Sequence, residues 1–382
     1  MEVNLWDLPE DKIYVKLNDT FHKKLFTSAI KHAGSQSALS EMLRTSNKKF
    51  NKDMKSVSQK EISRWFNNYN LIRLDIINFI SKLMGYSVKD VQKNIEVLKG
   101  LKTSEPIFNP NLPFKLDSYM ANLVAKLSCD GCILDRENSF TVQYSNTNLK
   151  LIEEFKRDVV DVFGNTKIKI VKRGSIYIAR TTGLIGFIIT KYFGSMHAVE
   201  VPSLIKNSNI YIKSAFIRGV FDDESTVHKG HGQIRLKMLN RRFVNGIKSI
   251  LENDFKISCS DVLEDSSSKF SKNTHYYFLI SNRFNLEKFR DRISFTHPKK
   301  AIRLNQRLSN VIKAEYPKGV SGSLIYDILK NSSMTSKEIA YILNRSNRIV
   351  QTHLNNLKEK GLVNYQPIKR RYSYEFLWKV VK

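Results

Sequence analysis

Apolar and polar positions along this chain fall into the same succession of patterns twice. A helical run, Leu123-Val124-Ala125-Lys126-Leu127-Ser128-Cys129, ends in Asp130-Gly131, and a second, Ile217-Arg218-Gly219-Val220-Phe221-Asp222-Asp223, ends in Glu224-Ser225. Small residues recur one turn apart in both: Ala121 and Ala125 match Ala215 and Gly219 at an offset of 94 positions. That spacing lets two helices cross with their backbones close together, so that the acids at their ends meet. Beyond each acid an alternating run predicts a strand, Phe140–Ser145 and Gln233–Met238, and an asparagine follows each acid by 16 residues, Asn146 and Asn240. A helical period then covers Leu149–Val162 and Arg242–Phe255, and strand pairs follow near Lys167–Arg180 and Lys256–Ser281. Each copy reads helix, two strands, helix, two strands, helix.

The flanks carry a different pattern. From Phe26 to Leu83 short helical stretches are broken by turns. Ser35–Leu43 resembles the first helix of a helix-turn-helix, a basic insertion spans Arg44–Lys55, and Ser58–Phe66 resembles a recognition helix. Ile62, Trp65 and Phe66 form its apolar face, leaving Gln59, Lys60, Ser63 and Arg64 for base edges and phosphates. After residue 320, three helical patterns (Leu324–Leu329, Ser336–Leu343, Arg345–Lys360) precede an alternating stretch from Tyr365 to Trp378. Thr335 or Ser336 is the expected N-cap. The pattern resembles a winged helix whose basic wing tip is Lys369-Arg370-Arg371, with Ser346, Asn347, Arg348, Gln351 and Thr352 facing a groove. Pro106, Pro110 and Pro113 predict a linker near Leu101–Pro113, and Pro317, Gly319 and Gly322 a boundary near Glu315–Ser323. Four units are expected: 1–105, 114–207, 208–316 and 320–382.

Charge narrows the partners. The 382 residues carry a formal charge of +27, spread over every segment, which suits a protein lying along a polyanion. The longest apolar run, around Gly183–Ile189, is too short to span a bilayer, and the amino terminus has no signal-peptide pattern, so a cytoplasmic protein of prokaryotic or archaeal type without membrane contact is expected. Three cysteines argue for a reducing compartment and against a disulfide framework. Cys129 and Cys132 form a CxxC with no second pair and no nearby His/Cys cluster, so packing is the expected role rather than zinc. Paired carboxylates, by contrast, are a way to hold magnesium beside a phosphate.

From about Leu116 to Val311 the chain resembles the LAGLIDADG homing endonucleases in their two-motif, single-chain form. Val201-Pro202-Ser203-Leu204-Ile205 before the second motif and Phe295-Thr296-His297-Pro298-Lys299-Lys300 after it resemble recurrent family segments. The resemblance implies an α+β fold: two pseudo-symmetric αββαββα repeats forming a saddle of antiparallel sheets, here joined to an all-α N-terminal helix-turn-helix and a C-terminal winged helix. It implies a monomer with an internal pseudo-twofold axis, bound to double-stranded DNA, in which Asp130 and Glu224 ligate Mg²⁺ and cut one strand each. Asp222 and Asp223 are not the expected ligands, since the register gives Glu224 the terminal slot. The family's basic residue near each site is matched by Lys299, or its neighbour Lys300, in the second copy; the first copy offers His197 in Gly194-Ser195-Met196-His197. Sheet residues expected to face DNA are Gln143 and Ser145 in the first copy and Arg235 and Lys237 in the second.

Three departures qualify the pattern: glutamate replaces aspartate at 224, serine stands where glycine is usual at 225, and Lys126 takes a normally apolar position, from which its stem could reach solvent. Two functions follow. One is a magnesium-dependent, site-specific DNA endonuclease of homing type, whether encoded by an intron (intron homing), by an intein or free-standing; the other is a DNA-binding transcriptional regulator that kept the scaffold and no longer cuts.

Overall fold

Two helices of like design meet at the centre of the fold, and the sequence explains their approach. The computed structural model describes residues 2–8, 10–50, 57–67, 70–100, 105–136, 139–194, 196, 200–228, 233–265, 273–309, 320–343, 345, 347–369 and 374–381. The first motif helix is Ser118–Ser128, capped by Asp117, whose side chain accepts from the N–H groups of Tyr119 and Met120. The second is Ile210–Glu224, capped in the same way by Asn209. Ala121, Ala125, Ala215 and Gly219 are buried where the two cross. A methyl group added to Gly219 would lie 2.6 Å from Asn122 Oδ1 and 2.7 Å from Ala125 Cβ, so only glycine permits this approach.

Each motif helix runs into a four-stranded antiparallel sheet, and the two sheets share one strand order. In the first, Gly131–Arg136 pairs with Ser139–Asn146, which pairs with Ile176–Thr181, which pairs with Lys169–Arg173. In the second, Ser225–Val227 pairs with Ile234–Met238, which pairs with His275–Ile280, which pairs with Leu263–Asp265. Strict alternation sorts the side chains. Val142 and Tyr144 in one sheet, and Ile234 and Leu236 in the other, are buried beneath helices Leu149–Phe163 and Arg241–Asn253. Their neighbours Gln143, Ser145, Arg235 and Lys237 therefore point to the opposite face.

The matched asparagines are not structural equivalents. Asn240 caps helix Arg241–Asn253, as Asn148 caps Leu149–Phe163. Tyr144 lies opposite Gly131 and Leu236 opposite Ser225, so Asn146 corresponds to Met238. The first hairpin is longer than the second, and equal spacing along the chain conceals it.

The expectation of an all-helical N-terminal unit needs correction. Tyr14–Leu17, Ile72–Arg73, Ile95–Lys99 and Ile107–Phe108 form an antiparallel sheet, completed by Asn165–Thr166 of the first repeat. Strands of two to five residues leave no periodic run for a sequence reading to find. Helices Asp19–Ala33, Gln36–Phe50 and Gln59–Phe66 pack together here, the last opening with a reciprocal Ser58–Glu61 capping box. Residues 107–108 of the expected linker are strand, Asn111 Nδ2 donates to the Asp161 carbonyl, and residues 101–104 lie outside the described set. One hydrophobic core extends from Val3 to Leu308.

A second core, from Ile325 to Trp378, joins helices Val320–Asn331, Ser336–Ile342 and Asn347–Glu359 to a sheet in which Tyr374–Val380 lies between Met334–Thr335 and Val363–Lys369. Thr335 is the N-cap, within a capping box closed by Glu338. Among the described residues, no helix is long and apolar enough to cross a membrane.

Candidate active site at the helix crossing

The motif helices deliver their acids to one place. Glu224 is the last residue of the second helix, and Asp130 lies in the turn after the first. Burial raises the Asp130 carboxyl above its ordinary value, opposed by Lys300 and by the Asn146 amide, which donates to Oδ2 at 2.9 Å. Glu224 is pushed up to about 7, first by burial and then by the charge of Asp130, with Lys300 opposing. The charge of Asp130 is thus felt at Glu224 across the crossing. Two carboxylates at the carbonyl ends of helices repel both one another and the helix dipoles, so cationic charge is needed.

Lys300 supplies part of it. Its Nζ donates to the carbonyls of Phe221 at 2.9 Å and Asp222 at 2.6 Å, closing the end of the second motif helix. Burial lowers its pKa, while Asp222, Asp223, Asp130 and Glu224 hold the charge in place. The lysine at the acids is Lys300 and not the expected Lys299, which is exposed; the phase of helix Pro298–Ser309 decides between neighbours. His197 of the first copy lies outside the described residues.

The neighbouring acids have other work. Asp222 accepts from the backbone N–H groups of Thr296 (3.1 Å) and His297 (2.9 Å), fastening the motif helix to the segment that carries Lys300. Burial pushes it up to about 6 against those donors. Asp223 Oδ1 accepts from the Tyr144 hydroxyl at 2.7 Å and the Asn146 amide at 3.3 Å. Burial, opposed by Lys126, pushes Asp223 up to about 8. Asp130, Asn146, Asp222, Asp223, His297 and Lys300 line an open cavity of about 460 Å³.

Lys126 does not reach solvent. It is 0% exposed and lies 2.9 Å from the Glu154 carboxylate, with its ammonium 5.2 Å from the Tyr144 ring centroid. Burial pulls its pKa down, but Glu154 and then Asp223 outweigh that and hold it above the ordinary lysine value. Glu154 also accepts from Thr296 Oγ1 at 2.9 Å, so the pair links the two repeats.

The remaining site candidates are spread over three surfaces. Gln143 and Ser145 share the outer face of the first sheet, where Gln143 Nε2 donates to Ser145 Oγ and Gln143 Oε1 accepts from Arg180 Nε. Arg235 and Lys237 share that of the second, both held by Asp265. Gln59, Lys60 and Arg64 are exposed on their helix, with Ser63 half-buried. Arg348, Gln351 and Thr352 are exposed on Asn347–Glu359. The wing tip (the Lys369 side chain, Arg370 and Arg371) and Ser346 fall outside the described residues. Sequence reasoning missed Tyr144, Arg180 and Asp265. For Tyr144 a signal existed, since a tyrosine at a core position needs a partner for its hydroxyl. Cys129, Cys132 and Cys259 are free thiols, and among the described residues no three His, Cys, Asp or Glu side chains form a metal-holding group.

Comparison with known proteins agrees with this architecture. A LAGLIDADG-like domain family matches residues 212–294, and the arsR family of bacterial regulatory proteins matches residues 323–365. Elongation factor 2 of Methanopyrus kandleri is 23% identical over 265 residues, which is 67% of this chain and 19% of that protein, so the chain spans about a fifth of the length of this relative. Among solved structures, mesophilic variants of the homing endonuclease I-DmoI are 18% identical with a TM-score of 0.38, over 50% of this chain and 98% of that one. Full-length DUF199/WhiA from Thermatoga maritima is 12% identical with a TM-score of 0.36, over 65% and 93%. With its two repeats of one strand order and the family match over the second, the chain carries a LAGLIDADG-like architecture, followed by a segment similar to arsR-type regulators.

Proposed function

We propose that the chain is a site-specific, divalent-metal-dependent DNA endonuclease of homing type. The observation that carries this reading is that the two motif helices cross and end at Asp130 and Glu224, one from each repeat, with the charges of Asp130 and Lys300 both felt at Glu224. The donor set fits Mg²⁺: two oxygen ligands under mutual repulsion suit an ion that takes one or two carboxylates and completes its shell with water and substrate phosphate. When bound between Asp130 and Glu224, the metal would supply charge neutralisation at the phosphate and activation of the attacking water.

The chain's own groups prepare that chemistry. Asn146 orients Asp130, Asp222 anchors the segment leading into the helix that bears Lys300, and Lys300 keeps a positive charge beside the scissile phosphate. The outer faces of the two sheets present alternating polar side chains at the spacing of a major-groove reader. The exposed faces of Gln59–Phe66 and Asn347–Glu359 add flanking contacts, and the +27 charge supplies affinity for the backbone of double-stranded DNA. In this reading one chain, acting as a monomer with an internal pseudo-dyad, replaces a symmetric dimer.

A second reading, a DNA-binding regulator that does not cut, is favoured by the arsR-family match over residues 323–365. One experiment separates them. The full chain is incubated with a randomised plasmid library and Mg²⁺, and new ends are sequenced. Cleavage abolished by Asp130→Asn and by Glu224→Gln supports the nuclease. Binding without ends in the wild type sinks it in favour of the regulator, and cutting that survives both substitutions overturns the site.

A further inference from the structure

The two DNA-facing sheets treat their cations differently. On the first, Arg180 is held by a neutral partner, its Nε donating to Gln143 Oε1 at 3.0 Å, and among the described residues it has no ion-pair partner. On the second, a single carboxylate oxygen, Asp265 Oδ2, lies 2.6 Å from Arg235 Nη2 and 2.9 Å from Lys237 Nζ. The Arg235 guanidinium is also stacked 3.8 Å from the centroid of the Tyr277 ring, which fixes its plane. All three charged side chains remain partly open to solvent, at 26%, 30% and 15% exposure for Arg235, Lys237 and Asp265. Asp265 comes from the outermost strand of the sheet, and reaches across His275–Ile280 to cations on Ile234–Met238.

We propose that Asp265 is a specificity-determining residue: by holding Arg235 and Lys237 together it converts two phosphate-seeking cations into one fixed head that reads guanine. This rests on the proposed reading of the sheets as a DNA interface. Two cations sharing one carboxylate keep a single net positive charge, which weakens attraction to any phosphate. The clamped guanidinium still has N–H groups to spare, and a planar fork locked by a carboxylate and a ring is preorganised for the O6 and N7 acceptors of guanine. For a chain of net charge +27 the danger is indiscriminate binding, and discrimination depends on the ratio of specific to non-specific affinity. Asp265 lowers the denominator and raises the numerator of that ratio.

The test uses the full chain. A binding site is selected from random duplexes with the wild type, and affinity for that site and for a random-sequence duplex is then measured by fluorescence anisotropy across salt concentrations. Asp265→Asn keeps shape and removes charge. It is expected to bind random duplex more tightly, with a log–log salt slope steeper by about 0.9 for each cation released to a phosphate. Preference for one guanine in the half-site under the second repeat is expected to drop by about 5- to 150-fold. Arg235→Ala should lose the same preference without gaining affinity for random duplex, and Asp265→Glu should retain it. An Asp265→Asn protein with wild-type slope and wild-type base preference overturns the inference while leaving the DNA-interface reading intact. If the wild type selects no site at all, that reading fails, and this one with it.

Discussion

Replacing Lys126 by methionine isolates what the buried ion pair contributes. Methionine keeps an unbranched stem against the Tyr144 ring but removes the ammonium that faces Glu154 at 2.9 Å. Glu154 is only 8% exposed; of its other cations, Arg157 at 3.8 Å is 60% exposed and screened by water, and Arg218 is the weakest of the influences that lower its pKa. The substitution therefore strands a buried carboxylate, with a cost of about 3–5 kcal/mol. It also deprives Asp223 of the charge that opposes its desolvation. Removing both partners, as in Lys126→Met with Glu154→Leu, eliminates the stranded Glu154 charge; what remains lost is the hydrogen bond from Thr296 Oγ1, about 1 kcal/mol, and the charge opposing the desolvation of Asp223. Urea unfolding monitored by tryptophan fluorescence and far-UV circular dichroism reads both variants. With a slope of about 3 kcal/mol per molar urea, the single variant should shift the main transition down by about 1–2 M and the double by much less. A single variant within about 0.3 M of wild type, or a double no better than the single, would refute the claim that this pair is a coupled unit holding the repeats together.

Gly219→Val should destabilise the helix crossing by at least about 1–3 kcal/mol, because even a Cβ meets Asn122 Oδ1 and Ala125 at under 3 Å; thermal melting of the full chain checks this, and a neutral result removes the close-approach argument. Asp158, buried beside Asn122 and close to Glu154, is pushed up from 3.8 to about 6 by burial first and then by Glu154. A carboxyl raised in the folded state contributes stability that is complete below its unfolded value and lost as pH rises through the folded one, so the loss falls between about pH 4 and 6. Asp158→Asn should therefore stabilise the protein above pH 6 by up to about 3 kcal/mol and flatten its stability over that window, read from melts at pH 4, 5, 6 and 7. Thr335→Ala removes the cap of Ser336–Ile342 and should cost about 1 kcal/mol, seen as faster amide exchange confined to the C-terminal helices; unchanged exchange there counts against the capping box.

What could be read beforehand depended on the range of the interactions involved. Alternation and helical period marked the motif helices and the strands at Ser139–Asn146 and Ile234–Met238, because burial on one face writes a repeat into consecutive residues. The position of residues 130 and 224 at the ends of those helices was legible from the 94-residue offset between the two motifs. Lys126 misled because a lysine's burial is decided by a partner 28 positions away. The choice of Lys300 over Lys299 turns on the rotational phase of a short helix. The Asn146–Asn240 match failed because spacing along a hairpin does not reveal its register. Asp265 gave no signal, since its two cations come from a strand two places away in the sheet.

The strand at Asn165–Thr166 has a consequence for biogenesis. It edges a sheet whose other members all lie between residues 14 and 108, so the amino-terminal region is finished by a segment that the ribosome delivers more than fifty codons later. Until then Ile107–Phe108 stands as an uncovered border, with Phe108 solvent-facing even in the mature protein. Nascent chains stalled before that point should be more prone to pair with one another than chains stalled after it.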